Sequence, residues 1–164
     1  MILPVLIAPD QRLTTPSQEI YEIDEEIETL LDDLYDTMIA HDGIGISACQ
    51  VGYNLSICVI QLAEEDEILE LINPKVLSGE GSSLDLEGCL SLPYFYGTVK
   101  RWNKIVVEYY NRDGELMEMT AEGYLARCIQ HEVDHLAGIL FKEKVIEEIP
   151  YTQIEQWMEE HEDD

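Results

Sequence analysis

Apolar side chains recur every three or four residues between residues 24 and 40, and acidic residues occupy most of the positions between them. This spacing places the apolar side chains on one face of an α-helix. Asp24 is a suitable N-cap, because its carboxylate can accept hydrogen bonds from unpaired N–H groups of the first turn. We therefore predict a helix from about residue 24 to residue 40, and its apolar face, which packs on a sheet, consists of Ile27, Leu30, Leu31, Leu34 and Met38.

The segments that follow have the composition of β-strands. Residues 55–62 form a continuous apolar run rich in branched side chains, which predicts a buried strand. Residues 68–72 predict a second strand that ends at Asn73-Pro74. The Gly- and Ser-rich residues 78–83 predict a loop.

Two further strands and a second helix are predicted in the second half of the chain. Residues 105–110 and 115–120 flank the sequence Asn-Arg-Asp-Gly, which is a strong signal for a β-hairpin. A helix is predicted over residues 122–136, and Gly138 is a suitable residue for ending it. From Ile146 onward the chain is acidic, with a weak helical pattern.

The order of these elements predicts an α+β fold, in which antiparallel strands pack around the second helix as the central element. The first helix forms the N-terminal part, and an acidic segment or helix forms the C-terminal part. The sequence contains no internal repeat and no linker. We therefore expect residues 1–164 to form a single domain.

The central helix carries the motif His-Glu-Val-Asp-His at residues 131–135. His131 and His135 lie one helical turn apart on the same face, so both imidazoles can bind one divalent metal ion. Glu132 is adjacent to the first histidine and is suited to act as general base or acid on a water molecule at the ion. A catalytic metal site usually has three protein ligands and an open position, so a third ligand has to come from elsewhere.

Cys89 is our candidate for the third ligand. As a thiolate it would complete a His-His-Cys site, and Gly88 just before it leaves space for a metal or a substrate. A lone cysteine can also be a small buried hydrophobic residue. Glu155 is the alternative third ligand, and it would make the protein a zinc metallopeptidase. A non-enzymatic acidic binding module with a structural metal is a further alternative, although structural zinc sites usually have four protein ligands.

Charge and cysteine content limit the partners and the compartment. Nine basic and 35 acidic residues give a formal net charge of −26, which repels phosphates, so we expect no nucleic-acid specificity and no membrane partner. Such an acidic surface is strongly hydrated and suits a salty cell interior. The four cysteines are dispersed, and from the sequence we expect neither a signal peptide nor a membrane-spanning segment. We expect a cytoplasmic protein, or one of an organelle stroma or matrix after removal of a transit peptide.

Three separate segments together resemble the peptide deformylase family: GIGISACQ at residues 43–50, EGCLS at 87–91 and QHEVDH at 130–135. The resemblance extends to IAPDQRL near the N-terminus and to the long segment that contains the histidine motif, so that it covers about residues 1–145. It implies a metal-dependent hydrolase that removes the N-terminal formyl group from formyl-methionyl nascent peptides and releases formate.

The resemblance also implies residue roles. The metal would be bound by Cys89, His131 and His135, and Glu132 would be the general acid and base. Gln50 and the backbone N–H of Leu90 would donate hydrogen bonds to the developing oxyanion. Gly45 and Gly88 would hydrogen-bond the substrate backbone as an added strand.

Three other residues are candidates for the pocket that holds the methionine side chain. Tyr124 and Cys128 lie on the same stripe of the central helix as the two histidines, and Ile44 is adjacent to Gly45. For Cys128, simple core packing is the alternative. The family resemblance implies one Fe²⁺ ion per chain, with Zn²⁺, Ni²⁺ or Co²⁺ as substitutes, although zinc has the higher affinity for a mixed nitrogen and sulfur site.

Two departures from the family pattern affect the expected contacts. Family members often carry an arginine shortly after the cysteine motif, whereas this chain has Tyr-Phe-Tyr-Gly at residues 94–97, which favours stacking or apolar contacts with the peptide. Lys100, Arg101 and Lys104 form a basic cluster, in which we expect either a pair between Arg101 and Asp42 or a solvated loop.

The C-terminal segment is the second departure, because the corresponding helix of bacterial relatives is often basic and docks on the ribosome. Here it carries only acidic charges: Glu155, Glu159, Glu160, Glu162, Asp163 and Asp164. Ribosomal RNA would repel it. Ribosome contact therefore requires other surfaces or screening by salt, or else the enzyme acts on released chains. We expect a monomer.

Overall fold

A computed structural model describes residues 1–161 of the chain. In chain order the helices and strands are α1 Glu25–Ala40, β1 Gly45–Ser47, β2 Ile57–Ile60, β3 Leu69–Cys89, β4 Leu92–Tyr110, β5 Leu116–Glu122, α2 Gly123–Leu136, β6 Val145–Glu148 and α3 Ile154–Glu160. Short 3-10 helices lie between some of them. The expected α+β class is confirmed.

The sheet is antiparallel, with the strand order β1-β2-β3-β4-β5, and β6 pairs with β4. One apolar cluster joins α1 to β1 and β2, and a second joins α2 to β2, β3, β4 and β5. Helix α2 therefore packs against the sheet as the central helix. The tip of the β3–β4 hairpin carries Leu90 and Ser91, so β3 delivers Cys89 to the edge of this assembly.

Helix α1 has the features that the apolar spacing predicts. The carboxylate of Asp24 accepts a hydrogen bond from the backbone N–H of Ile27 at 3.1 Å. All five predicted apolar positions of α1 are buried. Local signals, an N-cap and a 3.6-residue period, were sufficient to locate this helix.

The predicted end of the second strand at Asn73-Pro74 is wrong, because β3 continues to Cys89. The pairing with β4 shifts between Ile72 and Lys75, and this irregularity accommodates a proline that has no N–H to donate. Asn73 adopts a φ of 51°. Its side-chain Oδ1 accepts a hydrogen bond from the N–H of Ile20 at 2.9 Å, and its Nδ2 donates to the C=O of Ile20 at 2.7 Å. These two hydrogen bonds hold the distortion in place.

The predicted loop over residues 78–83 is also wrong, because these residues form part of β3. Ser82 pairs with Trp102 and Gly79 with Ile105 on β4. The indole ring of Trp102 lies so close to Gly79 that a Cβ at that position would collide with it. The glycine therefore marks close approach of a side chain within a strand, not a turn.

The hairpin predicted around Asn-Arg-Asp-Gly is present, with β4 pairing β5 up to Tyr110 and Leu116. Strand β4 is much longer than expected, because it begins at Leu92 and includes the predicted basic cluster. In the acidic segment the structure adds the short strand β6 before α3, and residues 162–164 of the predicted acidic tail lie outside the described residues. Within residues 1–161 we find no helix with the length and apolar character needed to cross a bilayer.

Candidate active site

Helix α2 brings both histidines of the motif to its buried face. His135 has no exposed surface, and His131 is 9% exposed. The helix ends at Leu136 with Ala137 as its C-cap, and Gly138 follows at a φ of 80°, a left-handed conformation that glycine adopts without strain. The four-residue spacing thus places two imidazoles side by side, with ring centroids 5.0 Å apart.

Cys89 completes a three-residue donor group with these histidines. Its Sγ and one nitrogen from each imidazole all lie within 4.8 Å of one another. The Sγ of Cys89 is 3.2 Å from Nε2 of His135. Three donors this close together need only small side-chain movements for each to lie about 2.0–2.3 Å from a single ion. A thiolate and two imidazoles fit a divalent transition metal, so the donor set and its geometry support a metal cofactor.

The protonation states of the two histidines are set by different surroundings. Nδ1 of His131 donates to Oε1 of Glu87 at 2.9 Å. Burial lowers the pKa of His131, but hydrogen bonds with Cys89 and Glu87 outweigh burial and raise it to about 10, so an ion that binds at Nε2 has to displace a proton. Burial, with a further effect from neighbouring His131, lowers the pKa of His135 well below its ordinary value. His135 is therefore neutral, as a metal ligand must be.

Glu87 lies beside the donor group and was not among the predicted site residues. Its two carboxylate oxygens accept hydrogen bonds from Arg101 at 2.8 Å, from Arg127 at 2.7 Å and from His131. Burial raises the pKa of Glu87, but the hydrogen bonds from Arg101 and His131 outweigh burial and hold the pKa well below its usual range. The Glu87 carboxylate is therefore charged and fixes the orientation of the His131 ring.

The expected pair between Arg101 and Asp42 is wrong, and so is a solvated loop at this position. Arg101 is 4% exposed, lies in β4, and forms ion pairs with Glu87 and Asp134. Strand alternation turns its side chain toward α2, where two carboxylates compensate its charge. The position of Glu87 two residues before Cys89 was the only sequence signal for this network.

Glu132 points its carboxylate into the space that Gly45 leaves open. Oε1 accepts a hydrogen bond from Oγ of Ser47 at 2.8 Å. A Cβ at Gly45 would lie 2.6 Å from Oε2, so any larger residue there would displace the carboxylate. Burial raises the pKa of Glu132 above its ordinary value, which makes the group a better proton acceptor.

Gln50 lies in the short 3-10 helix after β1 and faces the donor group. Its Oε1 accepts from the backbone N–H of Ser47 at 2.9 Å. Its Nε2 lies 3.6 Å from the Sγ of Cys89 and donates to Oγ of Ser91 at 3.2 Å. The amide orientation is thus fixed at one end, and its N–H groups face the cysteine.

A cavity of about 380 Å³ opens beside this group, and ten of the eleven predicted site residues line it. These are Ile44, Gly45, Gln50, Gly88, Cys89, Leu90, Tyr124, Cys128, His131 and Glu132. The eleventh, His135, lies fully buried behind them in the donor group. Burial raises the pKa of Cys128 to about 12, so its thiol is neutral and offers an apolar lining. The wall also includes Tyr96 and Arg127, which were not predicted as lining residues.

The alternative third ligand, Glu155, does not join this group. It lies in α3 with an exposed side chain. Among residues 1–161, the group formed by Cys89, His131 and His135 is the one that brings three or more potential ligands together. The geometry therefore does not favour the metallopeptidase alternative.

Comparison with known proteins gives consistent matches. The family model for polypeptide deformylase matches residues 2–149. Peptide deformylase 1 of Bacillus cereus is 42% identical over 144 residues, which is 88% of this chain and 92% of the relative.

Solved structures match over most of the chain as well. A peptide deformylase from Legionella pneumophila is 33% identical with a TM-score of 0.86, and the match covers 100% of this chain and 99% of the Legionella chain. A class I type b peptide deformylase from Acinetobacter baumannii with Met-Ala-Ser bound is 30% identical, with a TM-score of 0.85, and covers 88% of this chain and 99% of its own.

Proposed function

The chain belongs to the polypeptide deformylase family, and on that premise we propose how its residues remove the formyl group from N-formylated nascent peptides. The enzyme is a metal-dependent hydrolase that releases formate. The observation that carries the residue assignment is the convergence of Cys89, His131 and His135 within 4.8 Å of one another, next to the carboxylate of Glu132. This arrangement combines a metal site with an adjacent proton acceptor.

Cys89, His131 and His135 would hold the metal. A divalent ion bound there supplies a Lewis acid that polarises the formyl carbonyl and lowers the pKa of water from 15.7 to about 7. Glu132 accepts the proton that the attacking water loses as its oxygen bonds to the formyl carbon. Glu132 then passes this proton to the leaving nitrogen as the carbon–nitrogen bond breaks, so formate and a free amino terminus result.

Gln50 and Leu90 would stabilise the negative charge that develops on the formyl oxygen. The Nε2 group of Gln50 faces Cys89, and the carbonyl end of the same amide is anchored by Ser47. The backbone N–H of Leu90 is the second proposed donor. Donors oriented in advance toward a developing oxyanion contribute about 3–4 kcal/mol each to catalysis.

The cavity would hold the methionine side chain. Ile44, Tyr124 and Cys128 line it, and Gly45 and Gly88 would offer their backbones to the peptide. The Acinetobacter baumannii relative was crystallised with Met-Ala-Ser bound. An unbranched thioether fits a neutral, soft lining such as the thiol of Cys128.

We propose Fe²⁺ as the bound ion, with Zn²⁺, Ni²⁺ or Co²⁺ as substitutes. The mixed sulfur and nitrogen donor set accepts all four, and zinc exceeds ferrous iron in affinity. A ferrous site with a thiolate ligand is sensitive to oxidation. Activity of the iron form should therefore fall in air, whereas activity of the nickel form should persist.

We propose a monomeric enzyme that works in a reducing compartment such as the cytoplasm. All three metal ligands come from one chain. The four cysteines, all within the described residues, are free thiols, as expected where disulfides do not form. The described part of the C-terminal segment carries exposed acidic residues, which would repel ribosomal RNA, so ribosome contact would require other surfaces or screening by salt.

Formate release from formyl-Met-Ala-Ser, measured anaerobically with Fe²⁺ and separately with Ni²⁺, tests the proposal. We expect release with both ions. Glu132→Gln should retain the metal and lose activity by about 100-fold or more, because general acid–base catalysis is worth about 10²–10⁴-fold. Cys89→Ala should lose both metal and activity.

Glu155→Gln is the matched control, since it removes an exposed carboxylate outside the donor group. It should change neither metal content nor the rate of formate release. Loss of activity in Glu155→Gln, with Cys89→Ala still active, would reverse the assignment in favour of a metallopeptidase-type ligand set. No formate with either ion in the wild-type protein would refute the proposed function.

A further inference from the structure

A second cavity, of about 240 Å³, opens beside β4 at the point where the pairing of β4 with β5 ends. The active-site cavity has Asp42, Glu87 and Glu132 in its wall. The wall of the second cavity contains three of the nine basic residues of the chain and, within residues 1–161, no carboxylate. It consists of Ser82, Lys100, Arg101, Trp102, Gln130 and Lys144. In a protein with a net charge of −26, this local excess of positive charge favours an anion.

Trp102 presents an open aromatic surface at this second cavity. One face of its indole ring lies over Gly79, so closely that a Cβ at that position would collide with the ring. Trp102 is nevertheless 49% exposed, so the opposite face of the ring is accessible to a ligand. Nucleobases stack on accessible aromatic rings of this kind.

Helix α2 fixes the backbone of Trp102. The backbone N–H of Trp102 donates to Oε1 of Gln130 at 3.0 Å, and Nε2 of Gln130 donates to the backbone carbonyl of Trp102 at 2.9 Å. Gln130 is 7% exposed, and its Nε2 also donates to the carbonyl of Ala126 at 3.0 Å. The side-chain amide thus takes the place of a neighbouring strand, and the indole ring projects from a fixed point. Binding on a ring that is already in position costs less ordering of the protein.

Lys100 provides an ammonium group next to this ring. It lies two residues before Trp102 on β4, so the two side chains leave the same face of the strand about 6.6 Å apart. Lys100 is exposed, and its partner on β3 is the apolar Leu84. The flanking residues of β3 on that face are Ser82 and Leu86, which are uncharged as well. The neighbouring strand therefore leaves the charge of Lys100 available to an anion.

Lys144 provides a second ammonium group from the opposite side of the cavity. It ends the short 3-10 helix Phe141–Lys144, and its side chain is exposed. Its Nζ lies 2.8 Å from the carboxylate of Asp134, which also forms an ion pair with the buried Arg101. Asp134 therefore keeps a counter-charge when Lys144 turns toward another anion.

We propose that this second cavity binds a free nucleotide, with its base stacked on Trp102 and its phosphate between Lys100 and Lys144. One ribose separates the base from the phosphate, a span similar to the spacing of Trp102 and Lys100 along β4. The cavity is smaller than the roughly 300–1,000 Å³ of sites that enclose a whole ligand, so it holds the phosphate end and leaves the base on the exposed ring. It shares no lining residue with the active-site cavity, and this binding does not depend on the proposed function.

The charges around the second cavity favour a free nucleotide over a strand of RNA. Glu80 is the partner of Lys104 across β3 and β4, and Glu122 lies 3.6 Å from the same lysine. Glu143, next to Lys144, has an exposed side chain. A strand of RNA would place further phosphates near these carboxylates, which would repel them. A nucleotide with one phosphate avoids this repulsion.

Fluorescence of Trp102 in the metal-loaded full chain tests the inference. The chain contains two tryptophans, so Trp157→Phe in α3 leaves Trp102 as the single reporter. In this background AMP should quench the fluorescence saturably. Adenosine should bind about three- to tenfold more weakly, because it lacks the phosphate that the two exposed lysines contact. A single-stranded RNA of adenosines should bind no more tightly than AMP.

Variants assign the binding to this cavity. Lys100→Gln should reduce the preference for AMP over adenosine to about twofold or less. Lys104→Gln is the matched control on the same strand, because Lys104 already faces Glu80 and Glu122, and it should bind AMP as the parent does. Trp102→Ala, measured by equilibrium dialysis with labelled AMP, should weaken binding by about 5- to 100-fold, the usual effect of losing one base stack. Trp102→Phe keeps an aromatic ring and should retain most of the affinity.

Three results would overturn the inference. Absence of saturable quenching by AMP would show that no nucleotide stacks on Trp102. Equal affinity for AMP and adenosine, or an unchanged preference in Lys100→Gln, would show that the phosphate does not lie at this lysine. Binding of RNA more than about tenfold tighter than that of AMP would assign the surface to a nucleic acid instead. None of these measurements uses formate release, so their failure is distinguishable from failure of the proposed function.

Discussion

Glu87 holds a charged carboxylate among three buried nitrogen-bearing side chains, those of Arg101, Arg127 and His131. Only 6% of Glu87 is exposed, so its charge is compensated by these partners and not by water. A carboxylate on the far nitrogen of a metal-binding histidine fixes the tautomer and the orientation of the ring. We therefore expect Glu87 to affect the metal through His131 while lying outside the donor group.

Glu87→Gln should weaken metal binding by about 10–100-fold, the usual effect of removing a group that orients a ligand. It should also lower the free energy of unfolding by about 3–5 kcal/mol, because two buried guanidinium groups lose their shared counter-charge. Competition for Zn²⁺ with a chromogenic chelator measures the first effect, and urea unfolding of the metal-free protein measures the second.

Asp85→Asn provides the matched control on the same strand. Asp85 is partly buried, and its carboxylate accepts a hydrogen bond from the backbone N–H of Leu86 at 2.7 Å. We expect its metal affinity to stay within about threefold of wild type, since surface changes away from a buried network are small. Wild-type metal affinity in Glu87→Gln would contradict the orienting role.

The four cysteines should react very differently with a thiol reagent. Cys49, Cys58 and Cys128 are at most 8% exposed, and burial raises the pKa of Cys49 to about 12. Cys89 is more accessible and lies on the cavity wall. Without metal, one thiol per chain should be labelled rapidly by iodoacetamide, and peptide mass mapping should identify it as Cys89.

Bound metal should protect Cys89, and unfolding in urea should expose all four thiols. Cys89→Ser, which keeps the other three, should show no rapid labelling in the folded state. Rapid labelling of Cys128 or Cys49 in the folded protein would indicate that the packing around α2 is looser than the structure describes.

At the scale of elements, the two helices that depend on local signals were predicted correctly, whereas the long strands that depend on pairing between distant residues were not. The N-cap Asp24 and the apolar period determine α1 within one stretch of chain, and the same holds for α2. The segment 78–83 looks like a loop by composition, yet it is a strand because β4 pairs with it and Trp102 covers Gly79. That pairing joins residues about twenty positions apart and leaves no periodic signature in either segment.

The candidate site shows the same division. His131, Glu132 and His135 could be named from one motif, because the chemistry of a metal site restricts which residue types can serve. The choice of Cys89 over Glu155 and the roles of Gln50 and Leu90 followed from the resemblance to the family. The network around Glu87 could not be predicted, since the sequence suggested for Arg101 either a pair with Asp42 or a solvated loop, whereas Arg101 pairs with Glu87 and Asp134. The contact between Tyr94 and Tyr151 depends on a bulge and on the placement of a C-terminal segment, and neither can be read from adjacent residues.

Gly79→Ala should destabilise the β3–β4 hairpin by about 1–3 kcal/mol, the usual cost of overpacking, because the new methyl group must displace the indole of Trp102. Urea unfolding followed by circular dichroism measures the change. Trp102→Ala removes the obstacle, so the double variant should lose less stability than the sum of the two single variants.

Ser82→Ala is a suitable control, because Ser82 pairs with Trp102 on the same strands but has an exposed side chain. It should change the free energy of unfolding by less than about 0.5 kcal/mol. Strict additivity of Gly79→Ala and Trp102→Ala would argue against direct contact between the two positions.

Across the whole molecule, the few positive charges are concentrated in specific pairs. Arg101 and Arg127 are buried and form ion pairs with Glu87. Arg112 pairs with Asp32 and Glu70 at 2.7 and 2.6 Å. The surplus of acidic residues, which gives the net charge of −26, therefore lies mainly on the surface. Repulsion among these charges opposes the compact state, and dissolved salt weakens the repulsion.

Raising NaCl from about 0.05 M to about 0.5 M shortens the Debye length from about 14 Å to about 4 Å. We expect the free energy of unfolding to increase by about 1–2 kcal/mol over this range. The acidic residues lie closer together in the folded state than in the unfolded state, so salt removes more repulsion from the folded state. Urea unfolding at each salt concentration, with the metal content held constant, measures the effect. A triple variant with glutamine at Glu155, Glu159 and Glu160 should show a smaller response.

Exposed ion pairs act in the opposite direction, since salt weakens attraction as well. Lys104 and Glu122 are 3.6 Å apart on the surface, and the exposed Lys144 lies 2.8 Å from the partly buried Asp134. Each such pair contributes only about 0–1 kcal/mol, and few basic residues are available to form them. Repulsion should therefore dominate, and a free energy of unfolding that decreases with salt would mean that these pairs stabilise the protein more than its acidic surface destabilises it.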